Sequence, residues 1–143
     1  MKRIRSISLA LLVVLICSIN VVFADDYVTQ RTVPLGDDYS VIVENRISAN
    51  QKNASAKTWA SGPNVGTSVT ATFYWFDTEY VNDDGTHGRF FQQTRTYGNY
   101  GSAGVYADTL NGAHKYYYKV ISNHSASYGN ERFSLNGLKT ELR

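Results

Sequence analysis

From Ser68 to Phe76 apolar and polar positions alternate strictly at the start. Val69, Ala71, Phe73 and Trp75 fall on one side; Thr70, Thr72, Tyr74 and Phe76 fall on the other. A period of two predicts a β-strand. Because both sides turn apolar near the end, the strand belongs in the middle of a sheet. A second strand is predicted from Lys115 to Ile121, where Tyr116, Tyr118 and Val120 alternate with Lys115, Tyr117 and Lys119. The lysine-bearing face is the wetter one, with the alkyl stems free to lie along neighbouring rings. Weaker patterns place strands at Tyr39 to Ile47, Ser55 to Ala60, Arg89 to Thr96 and Ser102 to Ala107, and His124 to Tyr128 extends or follows the Lys115 strand.

Turn signals separate these runs: Ser61-Gly62-Pro63-Asn64, Asn82-Asp83-Asp84-Gly85, Tyr97-Gly98-Asn99, Asn111-Gly112 and Gly129-Asn130. Gly takes positive φ without a steric penalty, and Asn and Asp tolerate it, so the chain reverses readily there. At the C-terminal end Leu135, Leu138 and Leu142 have helical spacing, but Gly137 interrupts it; an edge strand followed by a tail is expected. Residues 25–36 are polar and are expected to be a loose segment. Residues 37–143 then form one domain: all-β, a small antiparallel β-sandwich, with a barrel as the alternative.

Composition supports this class. After residue 24 the leucines are Leu35, Leu110, Leu135, Leu138 and Leu142, while tyrosine, threonine, valine and phenylalanine predominate. Rings and β-branched side chains suit a pleated surface and lose rotamer freedom in helices.

The first 24 residues follow a different rule. Lys2, Arg3 and Arg5 precede an apolar run from Ile7 to Ile19, and Val22-Phe23-Ala24 ends on a small residue. This is the pattern of a secretory signal peptide. The run is short of the roughly 20 residues of a spanning helix, so no stable membrane insertion is expected after cleavage. Cys17 follows Ile16, which is large and branched, and this argues against lipid attachment. The expected location is secreted, outside the cell.

The leader also carries the positive charge. Three of the 14 Lys and Arg residues lie in it, leaving 11 against 12 Asp and Glu, a net of −1 for residues 25–143. No nucleic-acid partner is implied. The single cysteine leaves with the leader, so the exported domain has neither disulfide nor thiol chemistry. Cysteine-free export fits a bacterial source.

Candidate chemistry is sparse. His87, His114 and His124 have no metal-ligand spacing. Asp77, Glu79, Asp83 and Asp84 are the densest oxygen donors and a weak calcium candidate, but they do not match a calcium-loop frame. No catalytic residue and no cofactor is assigned. A small hydrolase using Asp77, Glu79 or His124 remains a minor alternative, since paired carboxylates serve glycoside hydrolysis only across a cleft.

The aromatic residues carry more weight. Tyr74-Trp75-Phe76 and Tyr116-Tyr117-Tyr118 cannot all face one core. Rings on the other side offer flat apolar area with polar edges, suited to sugars or protein partners. Tyr74, Trp75, Tyr117 and His124 are the expected ligand-binding residues. The expected function is a non-enzymatic binding or cell-surface interaction module, with a cell-wall glycan or another surface protein as partner.

The segment Tyr116-Tyr117-Tyr118-Lys119-Val120-Ile121-Ser122-Asn123-His124-Ser125-Ala126-Ser127 resembles the His-Ser-Ala strand of lactococcin 972-like bacteriocins, small exported cysteine-poor β-sandwich proteins. The chain lacks that family's early Gly- and Trp-containing segment and is longer when mature. The resemblance implies an exported antimicrobial protein as the alternative function.

Overall fold

The computed structural model describes residues 25–108 and 114–143. The expected leader and the expected Asn111-Gly112 turn lie outside these residues. Eight strands are present: β1 (Tyr27–Leu35), β2 (Tyr39–Ile47), β3 (Asn53–Ala60), β4 (Gly66–Val81), β5 (His87–Tyr100), β6 (Ser102–Asp108), β7 (Lys115–Tyr128) and β8 (Glu131–Glu141). They form two four-stranded antiparallel sheets in the orders β1-β2-β3-β6 and β5-β4-β7-β8. The sheets pack on each other as in a small β-sandwich. Among the described residues no helix is long and apolar enough to cross a membrane.

The strict alternation expected for Ser68 to Phe76 is present in β4, whose ladder to β5 runs from Gly66 to Asp77. Three corrections concern places where the sequence pattern misleads. Residues 25–36, expected to be loose, contain β1, which pairs along its whole length with β2. Its residues are mostly exposed because it is an edge strand, and so its polar composition hid it. Tyr97-Gly98-Asn99 is not a turn but continues β5. The chain changes sheets two residues later, at Gly101, whose φ of 76° only glycine adopts without strain.

The third correction comes from a bulge in β7, and a second bulge shapes β8, the expected edge strand. In β7 the register slips between Tyr74 and Trp75 of β4, leaving Tyr118 as the extra residue. Tyr117 and Val120 both point into the core as a result, though they are three apart. In β8 the slip falls opposite Asn123, with Gly137 at φ 72° donating its N–H to Asn123 Oδ1 at 2.9 Å. Leu135 and Leu138 then face the same core cluster. The helix-like leucine spacing is therefore the signature of a bulged strand that runs to Glu141.

The interior is divided by height. One apolar cluster contains Ile47, Ala54, Ala56, Val69, Ala71, Phe73, Val105, Tyr117 and Val120. The other contains Leu35, Val41, Val43, Val65, Ala126 and Leu138. Small residues of β3 and β6 (Ala54, Ala56, Ala103, Ala107) lie in the same cluster as the large rings of β4 and β7. Matching small against large lets two sheets interdigitate at close-packed density. Asn45, Thr58, Ser122 and His124 are buried between the clusters and form a polar belt. At the open side, Thr140 Oγ1 donates to Thr29 Oγ1 at 2.7 Å, and Thr29 Oγ1 donates to Lys139 O at 3.1 Å, which ties β1 to β8.

Candidate functional site

The alternation of β4 and β5 sends rings to both sides of their hairpin. On the outer side Tyr74 and Phe76 stand opposite Gln92 and Phe90. The β7 bulge adds Tyr118 next to Lys119. Ring centroids are 4.7 Å apart for Phe76 and Phe90, 5.6 Å for Phe90 and Tyr118, and 6.4 Å for Tyr74 and Tyr118. The Lys119 ammonium lies 4.3 Å from the Tyr74 centroid, a cation–π contact. Phe90 is 66% exposed, whereas Tyr74, Phe76 and Tyr118 are half-buried beside it. Gly88 seats it: a Cβ there would fall 2.5 Å from Phe76 Cζ. Burial, then the neighbouring Tyr74 and Glu141, hold the Tyr118 hydroxyl above its ordinary pKa, so it remains a neutral donor.

Next to the rings the same face becomes hydroxyl-bearing. Thr72 and Thr94 are hydrogen-bonded at 2.8 Å, and Thr70 and Thr96 at 2.9 Å. The result is a face of rings continued by a ladder of paired threonines.

On the inner side Trp75 stacks on Phe91 at 5.8 Å with 17° between planes and meets Tyr117 edge-on at 5.9 Å. Arg89 lies over Tyr80 and Phe91 and donates to Tyr80 Oη at 3.1 Å. Trp75 Nε1 is buried without a hydrogen-bond partner among the described residues.

The four residues expected to bind ligand do not share a surface. Tyr74 stands on the outer face. Trp75 and Tyr117 meet on the inner face, and Tyr117 belongs to the core. His124 is 2% exposed, in the polar belt. Phe76 stands beside Tyr74 as the alternation of β4 predicts, but Phe90, Tyr118 and Lys119 were missed as partners. The alternation Phe90, Gln92, Thr94, Thr96 held the signal for one of these strands, but the Tyr118 bulge was invisible to a period of two.

The belt fixes its own proton positions. Asn45 Nδ2 donates to Leu138 O at 2.7 Å and Val120 O at 3.4 Å. Its Oδ1 accepts from Ser122 Oγ at 2.6 Å, which uses the only hydroxyl proton of Ser122. Ser122 Oγ must then accept from His124 Nε2, 2.6 Å away. In the neutral ring Nδ1 is left as an acceptor, and Thr58 Oγ1 donates to it at 2.7 Å. When the ring is protonated, the Thr58 hydroxyl can turn to Ser68 O, 3.0 Å away, and accept from Nδ1 instead.

Burial lowers the His124 pKa from 6.5 to about 4. The unfolded chain therefore binds this proton more readily than the folded one. The stabilisation is complete above about pH 6.5 and is lost as pH falls through about 4. We expect His124 to account for about 2 kcal/mol of lost stability from pH 7 to the acid limit, after allowance for solvent screening. Urea unfolding across this range should show a shallower pH dependence in His124→Gln. An unchanged slope would assign the acid sensitivity to other groups.

The acidic residues are occupied locally. Asp77 Oδ1 accepts the N–H groups of Glu79 at 3.1 Å and Tyr80 at 3.2 Å. His114 lies between Asp77 (3.6 Å) and Glu79 (3.2 Å), a grouping the sequence did not suggest. Asp84 accepts from Thr86 Oγ1 and N in the hairpin turn, which holds its carboxyl below the usual range. Asp83 lies in the same turn. Among the described residues no group of three or more His, Cys, Asp or Glu is arranged to hold a metal ion. The chain matches no protein-family model and no curated protein.

Proposed function

We propose that the domain is a non-enzymatic binding module, exported by its leader, that docks on a cell-wall glycan through the outer face of β5, β4 and β7. The observation that carries this reading is the contiguous ring cluster beside the threonine ladder, with Phe90 exposed and Tyr74, Phe76 and Tyr118 half-buried around it. Sugar rings present C–H faces that stack on aromatic planes and rims of hydroxyls that pair with polar side chains. A face with rings at one end and hydroxyls at the other supplies both needs. It suits a polymer lying on the sheet better than a small molecule enclosed in a pocket. A platform of this kind pulls the chain to a surface without chemical change.

The test is a Phe90→Ala/Tyr118→Ala double variant in co-sedimentation with insoluble wall polysaccharide. Binding should weaken at least tenfold while the thermal unfolding midpoint stays within a few degrees of the parent. Full retention of binding by the folded variant would remove this face as the site.

A further inference from the structure

The opposite face of the sandwich carries a second, separate arrangement. Thr58 points inward to His124, so its neighbours Lys57 and Trp59 point outward. Ala103, Val105 and Ala107 are buried, so Ser102, Gly104 and Tyr106 also point outward. The β3–β6 register sets Trp59 opposite Ser102 and Lys57 opposite Gly104. Together they line an open cavity of about 420 Å³. Tyr106 is 55% exposed and leans back over Gly104, where a Cβ would come within 3.0 Å of Tyr106 Oη. Only the missing side chain at Gly104 allows this ring to lie so low.

The charge at this cavity is one-sided. The Lys57 ammonium lies 5.4 Å from the Tyr106 centroid, and among the described residues no carboxylate is within ion-pair distance of it. Its cross-strand neighbour is Glu44, which is buried and engaged by Arg46 Nε at 3.3 Å. Arg95, reaching from β5, is outside the lining and is engaged by the carbonyl of Tyr106 and by Gln93 Oε1, so Lys57 is the cation that lines the cavity.

We infer that this cavity binds a carboxylate-bearing sugar unit, with its ring against Trp59 and Tyr106 and its carboxylate on Lys57. The chemistry favours a carboxylate over a phosphate. A carboxylate carries one charge, which the single ammonium lining the cavity matches, whereas a phosphate brings up to two charges and three acceptor oxygens that call for several converging donors. The Ser102 and Tyr106 hydroxyls stand ready for sugar hydroxyls. This site is independent of the platform on the other sheet. If both are occupied, one domain bridges two glycan strands.

The probe is an oligogalacturonate, with its fully methyl-esterified form as the uncharged control. Amide and indole NMR signals of Gly104 and Trp59 report this cavity; those of Gly88 and Tyr118 report the platform, so the two sites succeed or fail separately. Titration of the acid form should shift Gly104 and Trp59. Affinity should fall at least tenfold for the ester, and at least tenfold for Lys57→Met with the acid form. Gly104→Val, which displaces Tyr106, should weaken both forms. Unshifted Gly104 and Trp59 signals, or equal affinity for acid and ester, would overturn the inference.

Discussion

Replacing Asn45 with alanine is expected to cost about 3 kcal/mol of stability, although it removes a polar group from the core. The reason lies in what it leaves behind. Asn45 caps two backbone carbonyls, Leu138 O and Val120 O, and accepts the Ser122 hydroxyl. Alanine leaves these buried partners facing an apolar void. Each stranded group costs on the order of 1 kcal/mol or more, and the lost volume adds a cavity term. Ser122→Ala should cost about 2 kcal/mol, since it strands Asn45 Oδ1 and the Nε2–H of His124. The double variant should cost clearly less than the sum, because both single changes break the same Ser122–Asn45 bond. Guanidinium unfolding of the three proteins measures this directly. A loss under about 1 kcal/mol for Asn45→Ala would show that the belt contributes little.

The belt bears on the proposed binding face through geometry. His124 stands opposite Val69 on β4, and Ser122 opposite Ala71. On the reverse side of the same β4 segment stand Thr70 and Thr72 of the ladder. Thr58 joins His124 across the sheets, so the belt clips the platform's sheet to the sheet behind it. This cross-sheet bond restrains the β4 segment that carries the threonine ladder.

Much of this architecture was legible as period-two alternation. β2 was read with its observed bounds, and the inward row Val69, Ala71, Phe73, Trp75 needed only the pattern. The errors share a physical cause. A bulge adds one residue and reverses the phase of everything beyond it. Tyr117 was therefore placed on the face opposite Val120, and the leucines of β8 took a helix-like spacing within what was rightly expected to be an edge strand. His124 illustrates a different limit. A polar residue in a strand reads as solvent-facing until its partners are known, and those partners, Thr58 and Ser122, come from β3 and from its own strand. The platform was half-visible: Tyr74 was singled out, but its company came from a hairpin partner and a bulge. Pairing between strands is a property of the whole sheet, and a single strand's composition does not contain it.

Phe73 and Phe90 occupy the same hairpin and should behave in opposite ways. Phe73 is 0% exposed and meets Tyr117 edge-on at 6.5 Å. Its cluster includes alanines of β3 and β6 that are too short to fill a gap. Phe73→Ala should therefore cost about 4 kcal/mol, the transfer of a ring plus a cavity that cannot collapse. Phe73→Leu, which keeps most of the volume, should cost less than half of that. Phe90 is 66% exposed, so Phe90→Ala should change stability by no more than about 0.5 kcal/mol. Its effect should appear in binding instead. Chemical denaturation of the three variants beside polysaccharide co-sedimentation separates the two roles. If Phe90→Ala destabilised the domain as much as Phe73→Ala, the outer cluster would be a structural layer. A tyrosine-rich face would then be stabilising the sheet, with no need of a ligand to explain its exposure.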